Sequence, residues 1–247
     1  MRKVSAMKKK AFTINVDRRS MMNGRWLIIL ALSFILSHSS LLIPSNHAVA
    51  QTNMQEVFKS MPDSLMPLLT ENNRLDFIDF VASNMEAKVT NTLGGQSVLT
   101  QLTDRYLHIR LSAASEVQMR LLPLSVPVDS MNQMICLVRT YGTPDSGQES
   151  SITFYSCSWR RLPLSVSGLV APQELLHQPA TMSHERFSEV TKMLEPSFIV
   201  ARLSDVADEL TFSLVPTCIP EDDVTDVESV RVSKSVKWNG VEWIKCE

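Results

Sequence analysis

The first fifty residues limit everything that follows them. Before Trp26 the chain carries Arg2, Lys3, Lys8, Lys9, Lys10, Arg18, Arg19 and Arg25 against the single acid Asp17. Residues 26–36 are then apolar apart from Ser33, and Pro44 breaks any helix. Ala48-Val49-Ala50 supplies the small-x-small pattern of a signal-peptidase site. The pattern predicts a signal peptide over residues 1–50, cut between Ala50 and Gln51. A permanent anchor is the alternative. It needs about 20 mostly apolar residues, and Ser37, His38, Ser39 and Ser40 interrupt the run. With Met21 or Met22 as the start, Arg25 is the one basic residue left in the leader. The chain that folds is then an exported body of 197 residues without a membrane span. That is enough for one domain with a sizeable core, or for two halves, 51–165 and 166–247.

Cleavage also changes the charge. The whole chain has 24 basic and 26 acidic residues, and the leader holds eight and one of them. The remaining body has 16 basic and 25 acidic residues, a net charge of −9. Such a surface repels nucleic acid and anionic lipid. All four cysteines, Cys136, Cys157, Cys218 and Cys246, lie beyond the cut. Export permits disulfides, and the absence of C-x-x-C argues against a redox motif or zinc knuckle.

Periodicity places the elements. Residues 54–85 read as helical, interrupted by Pro62 and Pro67, with Ser60 or Asp63 available as caps. The stronger helix begins at Asn72 or Asn73 and carries Leu75, Ile78, Val81 and Met85 at helical spacing. Gly94-Gly95 then marks a turn. Residues 106–111 alternate, with Tyr106, His108 and Arg110 on one face and Leu107, Ile109 and Leu111 on the other. Residues 117–124 follow as a hairpin partner, blurred by Leu122. Residues 134–140 and 151–159 flank the turn formers Gly142 to Gly147. A helix over 184–194, capped by Ser183, buries Phe187, Val190 and Leu194. Residues 198–203 and 210–216 form another strand pair. Val236-Lys237-Trp238 and Val241-Glu242-Trp243 flank Asn239-Gly240, a two-residue hairpin signal. The order predicts an α+β fold: N-terminal helices packed on a mainly antiparallel sheet, with one further helix before the last strands.

Four features bear on chemistry. A hairpin centred between Ser146 and Gly147 sets Cys136 opposite Cys157, close enough for a disulfide at a non-hydrogen-bonded pair. Cys218 and Cys246 end strands and form a second candidate pair. On the strong helix, Asp76 and Asp79 share a face near Asn72, Asn73 and Arg74, a candidate binding face whose simpler reading is capping and solvation. Residues 221–228 are acidic but lack the glycine and alternating oxygen ligands of a calcium loop, so a solvated loop is expected there. The aromatic residues Tyr155, Trp159, Trp238 and Trp243 either line a ligand groove or pack across strands. The exported body holds three histidines, His108, His177 and His184, with no H-E-x-x-H, nucleophile elbow, P-loop or G-x-G-x-x-G. No catalytic, metal or cofactor residue is assigned.

The stretches MPDSLMPLLTENNRLDFIDF, NTLGGQSVLTQLTDRYLHIRLS, ICLVRTYGTPDSGQESSITFYSCSW and SVKWNGVEW resemble the Bacteroidetes secreted family catalogued as domain of unknown function 3256. The N-N-R-L-D-x-I-D block is the most distinctive. The resemblance spans nearly all of the exported body. It implies a protein of the Gram-negative envelope, periplasmic or secreted, and supplies no activity or catalytic residue. The expected function is non-catalytic binding of a protein or envelope component. The alternatives are a small-ligand carrier with an aromatic-lined pocket, or a hydrolase in which a histidine meets a carboxylate and a nucleophile in a cleft.

Overall fold

A computed structural model describes residues 51–143 and 146–246. Ala50 and the rest of the leader lie outside them. Helix α1 (Met54–Lys59) opens the described chain, capped by Asn53. A 3-10 turn at Asp63–Leu65 precedes α2 (Glu71–Ala82). Six strands follow: β1 (Lys88–Thr90), β2 (Gln96–Leu102), β3 (Tyr106–Ser112), β4 (Ser115–Val128), β5 (Met131–Thr143) and β6 (Gly147–Ser156). They form one antiparallel meander in sequence order. Then come α3 (His184–Met193), β7 (Phe198–Leu203), β8 (Glu209–Val215), α4 (Val224–Val230), β9 (Lys234–Trp238) and β10 (Trp243–Lys245). The last four strands make a second antiparallel sheet, ordered β10-β9-β8-β7. The α+β architecture is as the sequence predicts, with the first two helices on the first sheet and α3 ahead of β7.

The six-stranded sheet is covered on both faces. Leu107, Ile109, Val117, Met119, Leu121, Ile135 and Leu137 meet Met54, Phe58, Met66 and Phe77 from the helical segment. Leu122, Met134, Cys136, Val138 and Phe154 point the other way, onto Leu203, Leu210, Phe212, Val236 and Trp243 of the second sheet. This explains why Leu122 blurs the alternation of β4. A strand buried on both faces loses its polar partner residues and reads as a continuous apolar run. A third, small cluster joins Val190 and Leu194 of α3 to Val227 and Val230 of α4.

Several local expectations shift. Thr70, rather than Asn72 or Asn73, caps α2: its hydroxyl accepts from the Asn73 N–H, and Asn73 Oδ1 accepts from the Thr70 N–H. The helix buries Arg74, Phe77 and Ile78 and leaves Val81 exposed, and it ends at Ala82, short of the exposed Met85. The acidic run is a 3-10 turn, Glu221–Asp223, leading into α4, where a loop was expected. Arg186 of α3 holds it, pairing with Asp223 and Asp226. The last hairpin pairs Trp238 with Trp243 and leaves four residues in the loop instead of two. Asn239 Oδ1 accepts from the N–H groups of Val241 and Glu242, so its side chain closes the turn.

Candidate functional site

The proposed helix face does not assemble. Arg74 is 2% exposed and turns inward. Its guanidinium donates to Met61 O at 2.6 Å, Leu69 O at 3.1 Å and Asp63 Oδ1 at 2.7 Å. It satisfies carbonyls that the 3-10 turn leaves open, a structural role. Asn72, Asp76 and Asp79 point outward, and Asn73 is consumed by the cap.

The cysteine pairs do not assemble either, and all four thiols are free. The β5–β6 ladder sets Cys136 against Phe154, three residues short of Cys157. An odd offset also reverses the face. Cys136 is buried against the second sheet, while Cys157 packs at the margin of the helix-covered core and donates to Gln133 O at 3.4 Å. Cys218 and Cys246 are exposed.

The aromatic residues separate in the same way. Tyr155 and Trp159 pack with ring centres 5.7 Å apart and planes tilted by 54° on the helix side, and the Trp159 indole donates to Val57 O. Trp238 and Trp243 pack with ring centres 5.6 Å apart and planes tilted by 59° on the other side. Their common groove is therefore absent. Trp238 alone borders an apolar hollow of about 270 Å3, with Leu124, Leu162, Leu164 and Val241.

His108 does meet a carboxylate and a hydroxyl. Its Nδ1 lies 2.8 Å from Thr100 Oγ1 and its Nε2 lies 3.3 Å from Glu116 Oε2. Glu116 Oε1 is buried without a hydrogen-bond partner among the described residues, and Arg202 of the second sheet stands 3.6 Å away. The His108 hydrogen bond holds the Glu116 carboxyl below the usual carboxylate range, against burial. The Thr100 hydroxyl is a poor nucleophile here. It also lies 3.1 Å from His108 O, which competes for its proton. Its proton therefore need not pass to the imidazole. His177 and His184 sit elsewhere, in the loop before α3 and at its first turn.

A larger hollow lies where the described chain begins. Gln51, Thr52, Asn53, Asp104, Arg105, Pro123, Asn132 and Gln133 enclose about 450 Å3. Backbone ties set its walls. Met54 N–H donates to Asp104 O at 2.7 Å, and Thr52 N–H donates to Gln133 Oε1 at 3.0 Å. Arg105 is fixed by Asp208 Oδ1 at 2.8 Å and by Leu121 O at 2.9 Å. Asn132 Oδ1 is buried and has no partner among the described residues. Of these residues, sequence reading singled out Gln51 alone, as the residue after the cut. The others come from separated segments, so no local spacing marks them.

Comparisons with known proteins address the fold and the family. No curated protein matches the chain. Among solved structures, a domain of an uncharacterized protein from Porphyromonas gingivalis W83 is similar, with a TM-score of 0.60 and 21% identity. The match covers 79% of this chain and 100% of that domain. At this identity the likeness concerns the fold. The family model described as protein of unknown function (DUF3256) matches residues 46–243, and the chain belongs to that family.

Proposed function

We propose that the protein is exported and acts as a non-catalytic binding protein of the cell envelope, taking its ligand in the polar hollow at the start of the folded body. The observation that carries the reading is a hollow of about 450 Å3 whose lining residues are all polar apart from Pro123. That volume lies in the range of about 300–1,000 Å3 typical of ligand sites. The walls carry amides, a hydroxyl, a carboxylate and a guanidinium. These groups recognise and orient.

The export half of the proposal rests on the leader and is tested by the intact mass of protein recovered from envelope fractions. A mass beginning at Gln51 supports it, and a full-length cytoplasmic product removes it. The binding half is tested by placing a photo-crosslinking residue at Asn53, on the rim. Covalent capture of an envelope component there, absent when the residue sits at exposed Asp79, is the expected result. Equal labelling at both positions overturns the hollow as the site.

A further inference from the structure

The walls of the hollow carry one acid and one base, which narrows the ligand. We infer that the site takes a small zwitterion of the amino-acid or short-peptide class, held by its ammonium and its carboxylate. This rests on the binding reading above and adds the chemistry of the ligand.

Asp104 brings a carboxylate from the β2–β3 turn. An ammonium carries three donors and no acceptor, so it suits that carboxylate. Donors come from Arg105 and Gln133. Arg105 spends its Nε and Nη2 on Leu121 O and Asp208, and its Nη1 makes no hydrogen bond among the described residues. Gln133 uses its Oε1 on Thr52 N–H, which turns the amide and leaves its NH2 as a donor. A carboxylate fits guanidinium and amide donors together. The ties to Asp208 and Leu121 hold Arg105 before any ligand arrives, so little ordering is needed on binding.

A nucleotide or a phosphate fits poorly, because Asp104 repels it and Asp208 already neutralises part of Arg105. A sugar usually stacks on an aromatic face, and this hollow has none among its lining residues.

The test uses the wild-type full chain and the processed protein, titrated with four probes and read by amide NMR shifts. The probes are Ala-Ala, N-acetyl-Ala-Ala, Ala-Ala amide and N-acetyl-Ala-Ala amide. Ala-Ala is expected to bind best, shifting the signals of Thr52, Asn53, Asn132 and Gln133. Capping either end is expected to weaken binding about ten- to a hundredfold, the worth of one charge-assisted hydrogen bond. Asp104→Asn is expected to weaken Ala-Ala by a similar factor. Asp104→Asn keeps the backbone carbonyl that holds Met54, and Asp76→Asn serves as a surface control. Equal binding of all four probes at these residues overturns the zwitterion and leaves the binding reading standing. No shift at these residues with any probe overturns both. The capped series needs no variant, so a variant that fails to fold does not block the test.

Discussion

The two faces of the six-stranded sheet are buried to a similar extent and built from different chemistry. The face under α1 and α2 is almost wholly aliphatic and aromatic along β3, β4 and β5. The face under the second sheet has an apolar patch and, beside it, a polar seam. There Gln118 Oε1 accepts from the Leu203 N–H at 2.7 Å. Arg120 pairs with Asp208 and donates to Ser204 O, and Ser150 exchanges hydrogen bonds with Ala201. Helices satisfy most of their own backbone and ask chiefly for apolar area, with Arg74, Arg139 and Trp159 meeting the few carbonyls left over. A second sheet brings an edge strand, β7, whose N–H and C=O groups need partners. The polar side chains of β4 and β6 supply them. Sheet-on-helix burial is therefore interchangeable in detail, while the sheet-on-sheet seam is specified group by group.

The comparison breaks first where area alone decides. Leu107→Ala removes a fully buried side chain from the helix face, and Phe154→Ala removes one from the other face. Expected losses are about 2–5 and 3–5 kcal/mol, read from urea unfolding. If both faces answer to packing, the two variants unfold at unchanged slope with shifted midpoints. A changed slope in Phe154→Ala alone indicates that the second sheet separates before the first.

The seam gives the next largest effect. Asp208 accepts from both Arg120 and Arg105, and Arg120 is 2% exposed. Asp208→Ala leaves a buried guanidinium without its counter-charge, at a cost of about 3 kcal/mol. The double variant Arg120→Met/Asp208→Leu is expected to recover to within about 1 kcal/mol of wild type, since an apolar pair replaces an ionic one. Failure of the double variant to recover indicates that Arg120 is held for the Ser204 carbonyl rather than for the ion pair.

A smaller contribution depends on pH. Glu116 links β4 to His108 and to Arg202 across the seam. Its carboxyl titrates below the ordinary carboxylate range when folded, chiefly through the His108 hydrogen bond. A depressed pKa stabilises the folded state at pH values above the unfolded value, about 4.3. The contribution falls away as pH drops from there through the folded value. The stability gap between wild type and Glu116→Gln is therefore expected to shrink as pH falls below the unfolded carboxyl value and through the folded one. A gap that persists at the acid end assigns the effect to packing. Arg110 faces Glu116 from β3, so its removal is expected to shift the same midpoint less.

The same contrast governs what could be read from the sequence. Alternation on β3 was legible because its inward residues meet helices and its outward ones stay polar. Ser183, Val190 and Leu194 marked α3 for a similar reason. The β5–β6 register was not legible. β5 is buried on both faces, while β6 is mostly polar and has only Ile152, Phe154 and Tyr155 to set its phase, so a slip leaves the pattern looking acceptable. Only the tertiary demand that Phe154 enter the second core selects the observed pairing. Arg74 misled for a related reason. An arginine beside two aspartates reads as surface, and nothing local reveals the open carbonyls of Met61 and Leu69. The polar hollow was invisible because four separated segments build it. The export reading stands on residues 1–50 and draws no support from the folded body.

The cysteines put one probe on each face. Cys136 lies on the seam side with no exposed surface, and burial pushes its thiol well above the ordinary range. Cys157 lies at the edge of the helix side, its thiol pushed up to about 11 by burial and by Asp129. Thiolate is the reactive form, so neither competes with Cys218 or Cys246, which are exposed. Alkylation of native protein at neutral pH is expected to label Cys218 and Cys246 first, Cys157 slowly, and Cys136 only when the sheets part. Substitution follows the same order in stability. Cys157→Ser keeps a donor for Gln133 O and is expected to change stability by less than about 0.5 kcal/mol. Cys136→Ser buries a hydroxyl among Leu122, Phe154 and Trp243 and is expected to cost about 1–3 kcal/mol. If Cys136 is alkylated as fast as Cys157, the two sheets breathe apart on the labelling timescale. The sheet-on-sheet seam would then be the weaker of the two faces despite its denser hydrogen bonding.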